Sequence, residues 1–142
     1  MDVFKNIFRR RNKLDHDNEK LTLLLNKWAK TPSVTTYEMV MKEIVNGNSY
    51  LLLPTVDDGG IPRYWTISNE NTTLKLTTVD ERDGLKTLWA FSDEGALSKW
   101  AEEKTPYAVL GTKSVLTICE NENIEQIVIN INSPNVFLVK KL

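Results

Sequence analysis

Residues Leu85 to Ile131 read as strand, helix, short strand, helix, strand, with almost no slack between the pieces, and they constrain the fold more than any other stretch. The apolar runs Leu88-Trp89-Ala90-Phe91, Tyr107-Ala108-Val109-Leu110 and Ile127-Val128-Ile129 are too continuous for a sheet wetted on one face. Two short helical patterns lie between them, each opened by a capping type. Ser92 stands ahead of Asp93 and Glu94, and Thr112 stands ahead of Lys113. Strands joined by helices tend to run parallel with both faces covered. The last strand is expected over Ile124 to Ile131, with Ser133-Pro134-Asn135 as a turn and Val136 to Val139 as an apolar end.

Upstream, Asp17 to Lys30 carries Leu21, Leu24, Leu25 and Trp28 at helical spacing, with Glu19 in the first turn and Lys27 and Lys30 in the last. A second helix is expected from Thr36 to Asn46, with Tyr37, Val40, Met41 and Ile44 on one face and Gly47 past its end. A strand over Ser49 to Pro54 then meets the turn Thr55 to Gly60, and Ile61 to Ser68 is expected to return antiparallel to it. Thr72 to Val79 alternates as the next strand, and Asp80 to Gly84 reads as a turn before Leu85. The expected fold is α+β. A mixed sheet has an antiparallel meander leading into strand-helix-strand-helix-strand, and two N-terminal helices pack on it. A basic segment, residues 1–13, precedes a single domain, residues 14–142.

Composition excludes several classes. The chain of 142 residues has net charge −1, which gives no overall field favouring nucleic acid. The single cysteine, Cys119, rules out an internal disulfide, and its place in Val115-Leu116-Thr117-Ile118-Cys119 marks a buried helix face. The single histidine, His16, lies in a polar run far from it, so Cys/His zinc spacing is absent. Neither a Walker pattern, a dinucleotide fingerprint nor a Gly-x-Ser-x-Gly elbow occurs. No cofactor, metal site or catalytic residue is therefore expected. The first residues hold no apolar core of the kind a secretory signal needs, and no run of about 18 apolar residues occurs, so the expectation is a cytoplasmic protein.

Two places remain for binding. Residues 1–13 hold five basic side chains against Asp2, a net +4 that leaves −5 on the rest. Phe4, Ile7 and Phe8 fall on one side of a helix beside Arg9, Arg10 and Arg11, which suits an anionic membrane surface or an acidic partner; a short terminal helix covering this same domain is the plainer reading. The second place is the turns. Asp57 and Asp58 sit in one, and Asp80 and Asp83 in another that antiparallel topology can bring to the same end of the sheet. They lack the alternating ligands and closing Glu of a calcium loop. Arg63 and Trp65 share one face of their strand, where an aromatic beside an arginine makes a protein-contact anchor; burial of Trp65 under the first helices is the alternative.

The residues from Leu52 onward also carry a family pattern. Leu52-Leu53-Pro54, then Gly84 before Leu88-Trp89-Ala90-Phe91-Ser92, Ala96-Leu97 and Trp100, and Ile127-Val128-Ile129-Asn130 followed by Ser133-Pro134 resemble the amino-terminal domain of the SseB (enhanced serine sensitivity) family. Phe91-Ser92-Asp93-Glu94 stands where that family has an aromatic, a Ser or Thr and an acidic pair. Asn130-Ile131 departs from the family's Asn-Pro. The resemblance implies a small α+β domain without established enzymatic activity, with regulatory or interaction roles in bacteria; similar domains occur among immunity proteins near toxin genes.

The expected function is accordingly non-catalytic: a bacterial SseB-like domain acting by protein–protein interaction in a regulatory or immunity-type role. The alternatives are a peripheral membrane adaptor using the basic terminus, and an enzyme with an unrecognised acidic site at the Asp57/Asp58 and Asp80/Asp83 end. The expected partner is another protein, with an anionic membrane surface as the second choice and nucleic acid excluded.

Overall fold

The first secure helix, α1 (Glu19–Lys30), buries Leu21 and Leu25 completely, and Leu24 and Trp28 pack beside them. The structure is a computed structural model that describes residues 18–54, 65–69, 72–76, 79–82, 84–101 and 107–140, with the backbone alone described for 65–69, 72–76 and 79–82. The second helix, α2 (Val34–Asn46), starts two residues before the expected Thr36. Ser33 is its cap: Ser33 Oγ accepts from the Thr36 N–H at 3.1 Å, and Thr36 Oγ1 accepts from the Ser33 N–H at 3.0 Å. This reciprocal pair satisfies two donors that a helix start would otherwise leave open. At the other end, Gly47 N–H reaches the Glu43 carbonyl at 2.8 Å. A Cβ on Gly47 would lie 2.2 Å from Glu43 Oε2, so only a hydrogen fits there.

Among the described residues, strand β1 (Tyr50–Pro54) takes its partner from much later in the chain. Its partner is β6 (Tyr107–Gly111), antiparallel, with Tyr50 opposite Gly111 and Pro54 opposite Tyr107. Of the expected return strand over 61–68, the described part, β2 (Trp65–Asn69), pairs with β3 (Thr72–Leu76), and residues 61–64 lie outside the described set. The stretch around Asp80, expected as a turn, is strand β4 (Val79–Arg82), with Asp80 opposite Thr87 of β5 (Leu85–Ala90). The chain reverses at Gly84, whose φ of +78° suits glycine. The meander is thus two antiparallel hairpins, β2–β3 and β4–β5.

Beyond β5 the order is α3 (Glu94–Trp100), β6, α4 (Thr112–Asn121), β7 (Gln126–Ile129) and β8 (Phe137–Lys140). β5 and β7 run parallel, Leu88 opposite Ile127 and Ala90 opposite Ile129, and β8 returns antiparallel on β7. β6 is not a neighbour of either, since it pairs with β1 instead. The two ladders meet where Leu52 and Phe91 exchange backbone hydrogen bonds of 2.8 and 3.0 Å. One edge of β5 is therefore divided, with β4 opposite Leu85 to Leu88 and β1 touching it at Phe91. The fold is α+β, as its sequence implied.

Both expected caps of this half shift by one residue. Asp93, not Ser92, caps α3, its Oδ1 accepting from the Ala96 N–H at 2.8 Å. Ser92 Oγ is instead engaged by Asn130, whose Nδ2 donates to it at 3.0 Å. Thr112 is the first residue of α4 rather than its cap, and Gly111 precedes it; among the described residues the buried Thr112 Oγ1 has no hydrogen-bond partner. β7 is shorter than the expected Ile124 to Ile131, because Asn130 and Asn132 take φ of +61° and +68° and turn the chain out of the sheet.

Helices α1, α2 and α4 cover one face of the sheet, meeting Leu51, Leu53, Leu88, Ala90, Ile127, Ile129, Phe137 and Val139 in one cluster. A smaller cluster of Leu52, Phe91, Ala96 and Leu97 lies under α3. Cys119 belongs to the larger cluster, and burial pushes its thiol from 9.0 up to about 12. The folded thiol keeps its proton where the unfolded one ionises. Its contribution is intact below pH 9 and is lost as pH rises from 9.0 towards about 12, by ~1.4 kcal/mol per pH unit. Urea denaturation of the wild-type chain and of Cys119→Ala should show the difference between them narrowing with that slope from pH 9 upward. Parallel pH profiles would mean that the thiol is not shielded.

Candidate functional site

Parallel strands in open sheets place ligands beyond their carboxyl ends, so the ends of β5 and β7 are the first place to look. Asn130, completely buried, closes β7 there. Its Oδ1 accepts from the Ser92 N–H at 2.9 Å, and its Nδ2 donates to Ser92 Oγ at 3.0 Å and to Asn135 Oδ1 at 3.3 Å. Its own N–H reaches the Ala90 carbonyl at 2.9 Å. Asn18, at the start of α1, donates to the Ser92 carbonyl and accepts from the Tyr50 N–H at 2.6 Å. One buried amide thus ties β7 to the β5–α3 link, and a second ties α1 to β1 and to that same link.

A crevice of about 360 Å³ opens beside this network, lined by Asn18, Glu19, Thr22, Ser92, Asp93, Glu94 and Gly95. Two of its three carboxylates already have duties: Asp93 caps α3, and Glu94 Oε1 accepts from the Tyr107 hydroxyl at 2.8 Å. Ser92 Oγ accepts from an amide, and among the described residues no base contacts it to activate it as a nucleophile.

The buried carboxylate of α2 is equally committed. Glu43, buried, accepts from Ser49 Oγ at 2.6 Å and faces Lys20 Nζ at 3.4 Å, joining the end of α2 to the start of β1. Ser49 in turn accepts the Thr112 N–H at 2.9 Å. A second cavity of about 400 Å³ lies between α4 and the starts of β7 and the end of β8, with Leu116, Cys119, Ile127 and Val139 among its walls; its thiol is protonated at neutral pH. Among the described residues no group of three or more His, Cys, Asp or Glu is placed to hold a metal ion.

The residues singled out from sequence fall largely elsewhere. Phe4, Ile7, Phe8, Arg9, Arg10 and Arg11 lie outside the described residues, as do Asp57, Asp58, Arg63 and Asp83. Trp65 opens β2 opposite Leu76, and Asp80 lies within β4. Sequence reading passed over what is, among the described residues, the outer edge of the sheet. β8 is the last strand in the order β4-β5-β7-β8. Its Phe137 and Val139 are buried, while Leu138 is 38% and the preceding Val136 41% exposed. The signal was present in the alternation of Val136 to Lys140, which shows one dry and one wet face.

The SseB protein N-terminal domain family model matches residues 21–141, nearly all of the chain beyond its first twenty residues. No curated protein and no solved structure matches the chain significantly.

Proposed function

The chain belongs to the SseB protein N-terminal domain family, and we propose that this member is a non-catalytic bacterial cytoplasmic domain that acts by binding another protein, in a regulatory or immunity-type role. One observation carries the reading. The buried polar side chains of the β5–β7 junction and of the α2–β1 link serve caps and tertiary hydrogen bonds, while two aliphatic side chains two positions apart face solvent at a sheet edge. Interior groups so committed have no freedom to bind and release a substrate, whereas an apolar strip on an edge favours macromolecular contact. Among the described residues, no helix is long and apolar enough to cross a membrane.

Affinity purification of the full chain from its native cell, with cross-linking, should recover a protein in stoichiometric amount. Recovery of a small metabolite alone, together with its turnover, would refute the reading. Co-sedimentation with anionic liposomes separates the membrane alternative: a full chain that pellets, against a chain lacking residues 1–13 that does not, favours an adaptor at the lipid surface.

A further inference from the structure

We infer that the free edge of β8 accepts an extended segment of a partner protein as an added antiparallel strand, with an acidic side chain facing Lys140 and aliphatic side chains facing Leu138 and Val136. The inference rests on the protein-binding reading above and names its surface. In an antiparallel ladder, alternate backbone N–H and C=O groups of the outer strand point away from the sheet, and no described strand lies beyond β8 to receive them. The β7–β8 register runs without a bulge from Ile129 opposite Phe137 to Gln126 opposite Lys140, and β8 contains no proline. Two devices that spoil an edge for pairing are therefore missing, while its length of four residues and its terminal lysine restrict the edge to a short segment that meets that charge. Backbone groups of this kind select an extended strand over a helix or a small molecule.

The side chains select among strands. Val136, Leu138 and Lys140 share the outward face, with Lys140 exposed and in no ion pair among the described residues. A second copy is a poor occupant. If its Leu138 lay opposite Leu138, its Val136 would lie opposite Lys140; one step along, Leu138 would. No self-pairing that covers the leucine offers that ammonium an acid. Four paired residues also bury far less than the roughly 1,200 Å² of a small stable interface, which suits a short segment bound transiently. An acidic residue across from Lys140 gains a cross-strand charge pair.

The test titrates the isotope-labelled full chain with the synthetic peptide Thr-Glu-Thr-Val-Thr-Val-Thr and with its counterpart carrying Lys in place of Glu. The acidic peptide should shift the amide resonances of residues 136–140 and of β7, with a dissociation constant on the order of 0.1–1 mM, and the basic one should bind about tenfold more weakly. Lys140→Glu should reverse that preference, and Leu138→Lys should weaken both peptides about tenfold while leaving the core resonances in place. No shift at millimolar peptide, shifts confined to other elements, or equal affinity for the two charges would overturn the inference. Capture from the native cell with the wild-type chain and with Leu138→Lys separates this from the broader reading. One partner held equally by both chains leaves protein binding standing and removes the edge. No protein held by either removes both.

Discussion

Asn130→Ala should lower the thermal midpoint by roughly 10 °C, one of the two largest effects expected of a single substitution here. Asn130 is fully buried and supplies the acceptor for the Ser92 N–H, itself in a buried residue. Removing that acceptor leaves a desolvated donor, at about 1–3 kcal/mol. The bonds to Ser92 Oγ and Asn135 Oδ1 go with it. Alanine must also hold φ near +61°, a conformation in which it does worse than asparagine by about 1 kcal/mol. The sum is roughly 3–4 kcal/mol, and for a chain of this length each kcal/mol is worth about 3 °C. Asn130→Gly separates the two causes, since glycine tolerates the backbone but cannot bind Ser92. It should recover about 1 kcal/mol of the loss and no more. Full recovery by glycine would show that backbone conformation alone matters, and a wild-type midpoint for the alanine variant would remove the network from any structural account.

Phe137→Ala should cost about 3–5 kcal/mol. The Phe137 ring is 1% exposed, edge-on to Trp28 at 5.6 Å between centroids and stacked on Tyr37 at 5.1 Å. The loss is thus a cavity between the sheet and both N-terminal helices, plus two ring contacts of about 0.5–1.5 kcal/mol each. A double-mutant cycle with Trp28→Ala should return a coupling of roughly 1 kcal/mol, because each truncation also removes the other's partner. The neighbouring Leu138→Ala is the control. That side chain points away from the helices and is 38% exposed, so its truncation should cost less than about 1 kcal/mol. Denaturant midpoints for the pair read the alternation of β8 directly. Similar costs at 137 and 138 would mean that both faces of the strand are packed.

Local chemistry made the second half of the chain readable from its letters. Continuous apolar runs, the acidic first turn of α3 and the helical spacing of α4 mark β5, α3, β6, α4 and β7, and all five elements are present. Partner choice was not readable in the same way. The apolar run of β1 reports that its residues are buried, which holds equally beside residues 61–68 or beside β6, and only the packing of the whole molecule selects β6. Caps failed by single residues for a similar reason. Ser92 and Asp93 are both capping types, and the Ser92 hydroxyl is engaged by Asn130, 38 positions away, while Asp93 caps the helix. Asn130 itself was read as the end of a strand motif, although asparagine is the non-glycine residue best suited to positive φ. Asn123, Asn130 and Asn132 all adopt it. As for function, acidic turns and a basic terminus stand out in a sequence, while a sheet edge becomes visible only once the strand order is known.

The pairing of β1 with β6 also sets a schedule for synthesis on the ribosome. Tyr107 follows Pro54 by 53 positions, so at 5–20 residues per second the later strand is polymerised roughly 3–11 s after the earlier one. Throughout that interval the backbone of Leu51, Leu52 and Leu53 lacks the strand that it pairs with in the folded chain. A nascent chain halted between Pro54 and Tyr107 therefore carries an aliphatic strand without its ladder partner, which makes translational pausing in this window a route to chaperone capture or clumping.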